Sequence, residues 1–261
     1  MTGAIAGDIV GSVYEARKRW THERNPDFQP LFAPEATFTD DSVLTIAQAE
    51  AICEGHDFTE QLIDYYHRFP SVGYGKQFRT WAESGSKEPY NSWGNGAAMR
   101  VSPVAYAFDS LDEVLINARE SAEVTHNHPD GIAGAKAVAG AVFLARTGAD
   151  YEDIAEFVEH TMQCDLSRSI DEIRPGYRFD SSARGSVPEA VTAFLESDSF
   201  EHAIRLAVSL GGDADTLASI AGAIAEPFYG AVPEQIASEA RSRLTPPLLA
   251  SLEKFEEQFS C

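Results

Sequence analysis

Positive charge is scarce in this chain: its 261 residues carry 20 Lys and Arg, five of them lysine, against 41 Asp and Glu, for a formal net charge of −21. A field of that sign opposes bare nucleic acid and anionic membrane surfaces. It still admits a nucleotide-like ligand, because bound divalent cations reverse the sign locally. Cysteine is rarer. Cys53, Cys164 and Cys261 are odd in number and far apart, with neither metal-site nor disulfide-framework spacing, which suits a reducing compartment. Long apolar runs are missing as well. The stretch 137–145 is too short to span a bilayer, and the apolar N-terminus, Met1 to Tyr14, carries Asp8 with no basic residue before it, unlike a signal peptide. These absences lead us to expect a cytoplasmic, monomeric protein with neither membrane nor bare nucleic acid as partner.

Alternating runs of β-branched residues are absent too, whereas apolar spacings of three and four recur throughout. The expected fold class is all-α, with residues 1–261 forming a single domain. Within it, two short acidic stretches stand out: Thr39-Asp40-Asp41-Ser42 and Gly211-Gly212-Asp213-Ala214-Asp215-Thr216. Each sets two carboxylates and a hydroxyl beside the start of a helical pattern. That is the donor inventory of hard divalent cations, which take oxygen ligands and need no sulfur. Helix capping by Thr39 or Asp40 is the plainer alternative for the first stretch. Capping, however, uses one side chain, and four consecutive candidates are present. In the second stretch paired glycines permit a sharp bend before an Ala- and Gly-rich helix expected over 217–224. Two ionised carboxylates entering such a buried helix cost several kcal/mol each unless cations balance them.

The remaining chain supplies candidate partners for these acids. Gly3, Gly7, Gly11 and Glu15 recur every fourth position of a helix expected over 3–16. Each glycine costs about 1 kcal/mol there relative to alanine, so close approach of another backbone or of a ligand is implied. Glu15 is either solvated beyond the helix end or aimed into a site. A polar connection over 18–34 leads to the first acidic stretch, and helices are expected over 58–69 and 75–83. The segment Tyr90 to Arg100 reads as a Gly/Asn/Ser loop entering a helix that continues to Phe108, either an ordinary turn or an anion cradle with Trp93 able to stack on a base. A helix over 111–124 ends at His126 and His128, which lack the further partners a zinc site requires. His126 reads as a ligand donor and His128 as a helix-end feature. A small-residue helix over 132–146, another over 151–164, a loop over 173–185 that could close over a site, and a capping box of Ser186 with Glu189 follow. Helices over 190–196 and 200–210 then precede the second acidic stretch, and outer helices over 233–244 and 246–259 close the chain.

Taken together, Gly7-Asp8-x-x-Gly11-x-x-x-Glu15, Thr39-Asp40-Asp41-Ser42, Gly94-Asn95-Gly96-Ala97-Ala98-Met99-Arg100, Thr125-His126-x-His128-Pro129 and Gly211 to Thr216 resemble, in order and spacing, the ADP-ribosylglycohydrolases. The likeness runs from Met1 to about Val232. It implies an orthogonal helical bundle around two divalent cations, Mg2+ or Mn2+, with Thr39, Asp40, Asp41, Asp213, Asp215 and Thr216 as ligands. It places Glu15 at the scissile bond, with Asp40 and Asp41 sharing in catalysis. Ser92, Trp93, Gly94, Asn95 and Gly96 fall where the family holds the diphosphate and distal ribose, and His126 falls near the phosphates. Ser42 departs from the threonine common at its position but keeps the hydroxyl. The implied activity is metal-dependent cleavage of the glycosidic bond joining ADP-ribose to a modified target. ADP-ribosyl-arginine on protein is placed first, and serine-, nucleic-acid- or ester-linked ADP-ribose or a catalytically silent ADP-ribose binder are the alternatives. The implied partner is an ADP-ribosylated protein or a small ADP-ribose conjugate.

Overall fold

Small polar side chains decide where most of the longer helices begin. In a computed structural model, which describes residues 1–15 and 24–259, Thr39, Asp57, Ser110, Asp150, Ser182 and Ser199 each accept a hydrogen bond from a backbone N–H in the first turn that follows. Helices α1 (Thr2–Gly11), α2 (Asp40–Glu54), α3 (Phe58–Arg68), α4 (Lys76–Glu83) and α5 (Gly96–Met99) make up the first part of the chain. They are followed by α6 (Val104–Ala107), α7 (Leu111–Glu123), α8 (Pro129–Arg146), α9 (Tyr151–Met162) and α10 (Ile170–Ile173). The last five are α11 (Ala183–Leu195), α12 (Phe200–Ser209), α13 (Ala214–Phe228), α14 (Glu234–Ser242) and α15 (Pro246–Phe259). Among the described residues there is no strand, and one isolated antiparallel bridge joins Gly94 to Ser182. The all-α expectation holds. None of these helices is long and apolar enough to cross a membrane.

The centre of the bundle is α13, buried along most of its length and packed against α1, α8, α11 and α12. Its contact with α1 is made backbone to backbone. A Cβ built on Gly7 would stand 2.0 Å from the carbonyl oxygen of Ala218, and one on Gly11 would stand 2.4 Å from the Cα of Asp215. The glycine stripe of α1 therefore exists to let α13 in. As a consequence the C-terminal end of α1 abuts the N-terminal end of α13, so the two acidic stretches share one end of the bundle. The small-residue helix α8 is likewise central, with α7, α9 and α13 around it.

Three arginines tie the chain between Arg24 and Thr39 to this body. Arg24 Nη1 donates to the carbonyls of Tyr177 at 3.0 Å and Arg174 at 3.3 Å. Arg205 Nη1 donates to Phe28 O at 2.6 Å, and Arg243 Nη1 to Ala33 O and Ala36 O at 2.9 and 2.6 Å. Of the connection expected over 18–34, residues 18–23 lie outside the described residues.

Several element boundaries differ from those expected. The first helix stops at Gly11, so Glu15 lies beyond its end rather than on its stripe. Helix continuity from Gly96 to Phe108 fails at Arg100 to Pro103, since Pro103 has no N–H to extend the ladder and α6 starts after it. The capping box of Ser186 and Glu189 is not formed. Both residues lie inside α11, whose cap is Ser182, and among the described residues the one reciprocal box joins Ser169 and Glu172. Residues 183–185, expected in a loop, form the first turn of α11.

Candidate active site

Asp8 organises the first acidic stretch. It lies on α1 with no exposed surface, and its carboxylate accepts from Thr39 N at 2.9 Å, Thr39 Oγ1 at 2.6 Å, Ser42 N at 3.1 Å and Ser42 Oγ. These bonds cap α2 from outside its own sequence and hold Asp40 and Asp41 in its first turn. Asp41 is buried, and its Oδ2 has no hydrogen-bond partner. At the opposite end of the chain, Gly211 and Gly212 both adopt positive φ, 65° and 70°, and turn the backbone into α13. There Asp213, Asp215 and Thr216 are all buried. Asn95 Nδ2 donates to Asp213 Oδ2 at 2.7 Å and also reaches Ser186 Oγ at 3.0 Å.

Packing these acids together raises their proton affinity. Burial is the main cause for every one of them, and neighbouring carboxylates add to it at Asp40, Asp41, Asp213 and Asp215. Asp40 is pushed up to about 8, with Asp8 as its foremost charged neighbour. Asp213 rises to about 6 despite the Asn95 bond. Asp41 and Asp215 are each driven well above the usual carboxylate range, Asp215 being the leading charge on Asp41 and Asp213 that on Asp215. Asp8 is raised as well, burial outweighing its four donors. No cationic side chain figures among the main influences on any of these groups.

Such a set needs cations, and its chemistry fits hard divalent ones: carboxylate and hydroxyl oxygens, a buried oxygen of Asp41 with no partner, and no sulfur. Among the described residues no three carboxylate, imidazole or thiol groups already share one coordination point. The fit therefore rests on donor type, burial and the unmatched oxygen.

A cleft of about 940 Å³ opens over the acids. Thr39, Asp40, Asp41, Asp213, Asp215 and Thr216 line it, and so does Glu15, half-buried beyond the end of α1. Ser92, Trp93, Gly94, Asn95, Gly96 and His126 line it from another side. The structure thus brings every residue named as a candidate from the sequence to one cleft. The loop over 173–185 also reaches it, through Phe179 and Ser181. Asn95 N donates to Ser181 O at 2.8 Å and Ala183 N to Trp93 O at 3.0 Å, so loop and cradle are joined by main chain. Trp93 and Phe179 are 57% and 51% exposed, unusual for large aromatics, and both line the cleft.

Behind the cradle sits Arg100, a fully buried guanidinium. Its Nη2 donates to Thr125 Oγ1 at 2.7 Å and to Ser121 O at 3.3 Å, and Nε reaches the Gln48 amide oxygen at 3.0 Å once that amide is oriented to satisfy both groups. None of these partners is charged, and Nη1 has none at all. Burial lowers Arg100 to about 10. Burial first and Arg100 second hold His126 well below the ordinary imidazole range, so it is neutral. His128, by contrast, caps α8 through its ring, accepting from Asp130 N at 3.1 Å.

Asp8, Arg100 and Phe179 escaped the sequence reading as site residues. Asp8 sat in a glycine motif that explained itself by packing, Arg100 ended a loop motif read for its glycines, and Phe179 lay in a loop without periodicity. Only the break between α5 and α6 carried a local signal, at Pro103.

The family model for ADP-ribosylglycohydrolase matches residues 1–258. ADP-ribosylhydrolase ARH3 of Bos taurus is 30% identical over 88% of this chain and 84% of its own, and that of Mus musculus is 29% identical over 88% and 82%. ADP-ribosylarginine hydrolase Tri1 of Pseudomonas putida is 25% identical over 88% of this chain and 69% of its own. Among solved structures, a chain described as ADP-ribosylglycohydrolase-related protein complex superposes with a TM-score of 0.73 at 25% identity, covering 98% of this chain and 94% of that one.

Proposed function

The chain belongs to the ADP-ribosylglycohydrolase family and is an ADP-ribosylhydrolase, a glycosidase, and from that premise we propose that its cleft cleaves the bond between the anomeric carbon of ADP-ribose and an acceptor with the help of two divalent cations. The observation that carries this reading is the meeting of Asp40 and Asp41 with Asp213 and Asp215 in one buried, cation-poor cluster beneath a cleft. Thr39, Asp40, Asp41, Asp213, Asp215 and Thr216 would hold magnesium or manganese, which when bound supply charge that fixes ribose hydroxyls and favours ionisation of water.

The protein's own groups do the rest. Asp8 fixes Thr39 and the first turn of α2, and Asn95 holds one oxygen of Asp213. Cleavage passes through an oxocarbenium-like state: the bond from the anomeric carbon to the acceptor breaks, water oxygen bonds to that carbon, and the acceptor leaves with a proton. Glu15, lining the cleft beyond the end of α1, is the group that takes the water's proton or delivers one to the acceptor. His126 and the backbone of Gly94 to Gly96 would meet the diphosphate, while Trp93 and Phe179, both exposed and lining the cleft, would stack on the adenine.

Arginine is the acceptor placed first on the family resemblance, and Glu15 and Glu35 on the cleft wall suit a guanidinium. A second reading takes an uncharged hydroxyl such as serine as acceptor; Tri1, whose name specifies arginine, is 25% identical to this chain against 30% for ARH3 of Bos taurus, whose name specifies no acceptor. The test offers arginine-, serine- and DNA-linked ADP-ribose with Mg2+ or Mn2+ and a chelated control, and follows free ADP-ribose. Release that persists under chelation removes the cations, and release of inorganic phosphate instead of ADP-ribose replaces the reaction class. Binding of ADP-ribose with no release from any conjugate identifies a silent binder.

A further inference from the structure

Helix α8 packs on both α7 and α9, and a half-buried strip of it, Ile132, Ala133 and Lys136, is left between those two helices as the floor of a second groove of about 570 Å³. Leu115 and Arg119 wall the groove from α7, and Phe157 and His160 wall it from α9. None of these residues lines the cleft. The Phe157 ring is pressed onto the backbone of α8, since a Cβ on Gly140 would stand 2.2 Å from it. That wall is therefore set by packing and stands ready before any ligand arrives. A strip of helix flanked by two others is the seat that a further helix takes when ridges of side chains pack into grooves.

Two features that are rare in this protein coincide at the groove. Among the described residues Lys87 and Lys254 pair with Glu60 and Glu54, whereas Lys76 and Lys136 make no ion pair. Lys76 lines the cleft and Lys136 the floor of the groove. Large apolar side chains more than half exposed divide in the same way. Trp93 and Phe179 line the cleft, and Ile116 lies on α7 three positions before Arg119, hence on the side of that helix that borders the groove. An ammonium set half-buried in an apolar strip, in a chain of net charge −21, calls for an anion. The groove offers none: among the described residues no carboxylate lines it, and Arg119 is engaged by Glu123 at 2.7 Å. Beyond the rim the sign reverses, with Asp112, Glu113 and Glu120 exposed on α7 and Glu152, Asp153 and Glu156 exposed on α9. A second copy of this chain docked here about a twofold axis would set those acids against one another. We propose instead that the groove docks an amphipathic helix of another protein, with one carboxylate in its apolar stripe to pair with Lys136 and basic side chains on its flanks to meet the acids of α7 and α9.

The probe is a fluorescein-labelled synthetic helix of about 15 residues with leucines at i, i+3 and i+7, glutamate at i+4 and lysines on both flanks, and binding is read by fluorescence anisotropy at physiological salt. Saturable binding to the wild-type protein is expected, and its absence overturns the proposal. Lys136→Glu should weaken binding about tenfold, and a peptide with lysine at i+4 should show the opposite preference, binding Lys136→Glu about tenfold more tightly than wild type. Equal affinities across this charge-swapped set overturn the pairing. Ala133→Trp, which fills the groove floor from a half-buried position, should melt near the wild-type temperature and lose the peptide. Retained binding in Ala133→Trp puts the peptide elsewhere and overturns the site. Sedimentation tests the other occupant: wild type that dimerises while Ala133→Trp does not identifies a second copy and overturns the proposal. Because the groove shares no residue with the cleft, these outcomes do not depend on the reaction proposed there.

Discussion

Asn95 and Asp213, 118 positions apart in the chain, are joined by a 2.7 Å hydrogen bond from amide nitrogen to carboxylate oxygen. The bond ties the glycine loop that faces the cleft to the acidic turn beneath it, and it opposes the burial that pushes the Asp213 carboxyl upward. Asn95→Ala should therefore leave the fold intact and lower ADP-ribose release about 10- to 100-fold, the usual cost of losing a group that orients a ligating carboxylate. Release within a factor of two of wild type would show that Asp213 is held without it.

Glu15 stands beyond the end of α1 and lines the cleft. Its loss should separate chemistry from binding. Glu15→Gln keeps shape and hydrogen bonding but removes the proton-transfer group, so turnover should drop by roughly 10² to 10⁴ while ADP-ribose binds as before. Full turnover in this variant would take Glu15 out of the reaction.

The α1–α13 contact leaves no room for a methyl group. At Gly7 a Cβ would sit 2.0 Å from the Ala218 carbonyl oxygen, a backbone atom that cannot swing aside. Gly7→Ala should cost about 3 kcal/mol or more in urea unfolding, or prevent folding. Gly176→Ala, whose new methyl group would meet Ile173 O at an ordinary 3.8 Å, serves as the control and should change stability by less than about 0.5 kcal/mol.

Without divalent cations the acidic cluster makes stability fall with rising pH. A carboxyl whose folded pKa is raised binds its proton more tightly folded than unfolded, so its contribution is complete below the unfolded value near 3.8 and is lost as pH climbs through the folded value. For Asp213 that loss runs to about pH 6 and for Asp40 to about pH 8. Thermal melts in chelator should show Tm decreasing from pH 5 to pH 8.5, and added Mg2+ or Mn2+ should raise Tm more at pH 8.5 than at pH 5. A metal response larger on the acid side contradicts the assignment of these acids as ligands.

Local rules were enough for a good part of this protein. The three-and-four spacing of apolar residues announced an all-α chain, and the four-residue glycine period of α1 required a close neighbour that proved to be α13. The two acidic stretches were visible because each gathers more carboxylates and hydroxyls than a helix cap can use, and Thr39 turned out to be a cap as well. Helix ends were less legible where long-range burial overrode local preference. Ser186 and Glu189 have the spacing of a capping box, yet Ser182 starts the helix and Ser186 is buried against Asn95 instead.

The chain by itself determined which atoms would want cations, since that follows from residue type. Tertiary structure alone decided how those atoms are held and what opposes them. Asp8 caps a helix that begins 32 residues after it, and Arg100 lies buried between a helix and a histidine with no acid to neutralise it. Neither partnership has a sequence period to betray it, because hydrogen bonds and electric fields act across space, and the close packing of α1 on α13 sets the two acidic stretches at one end of the bundle.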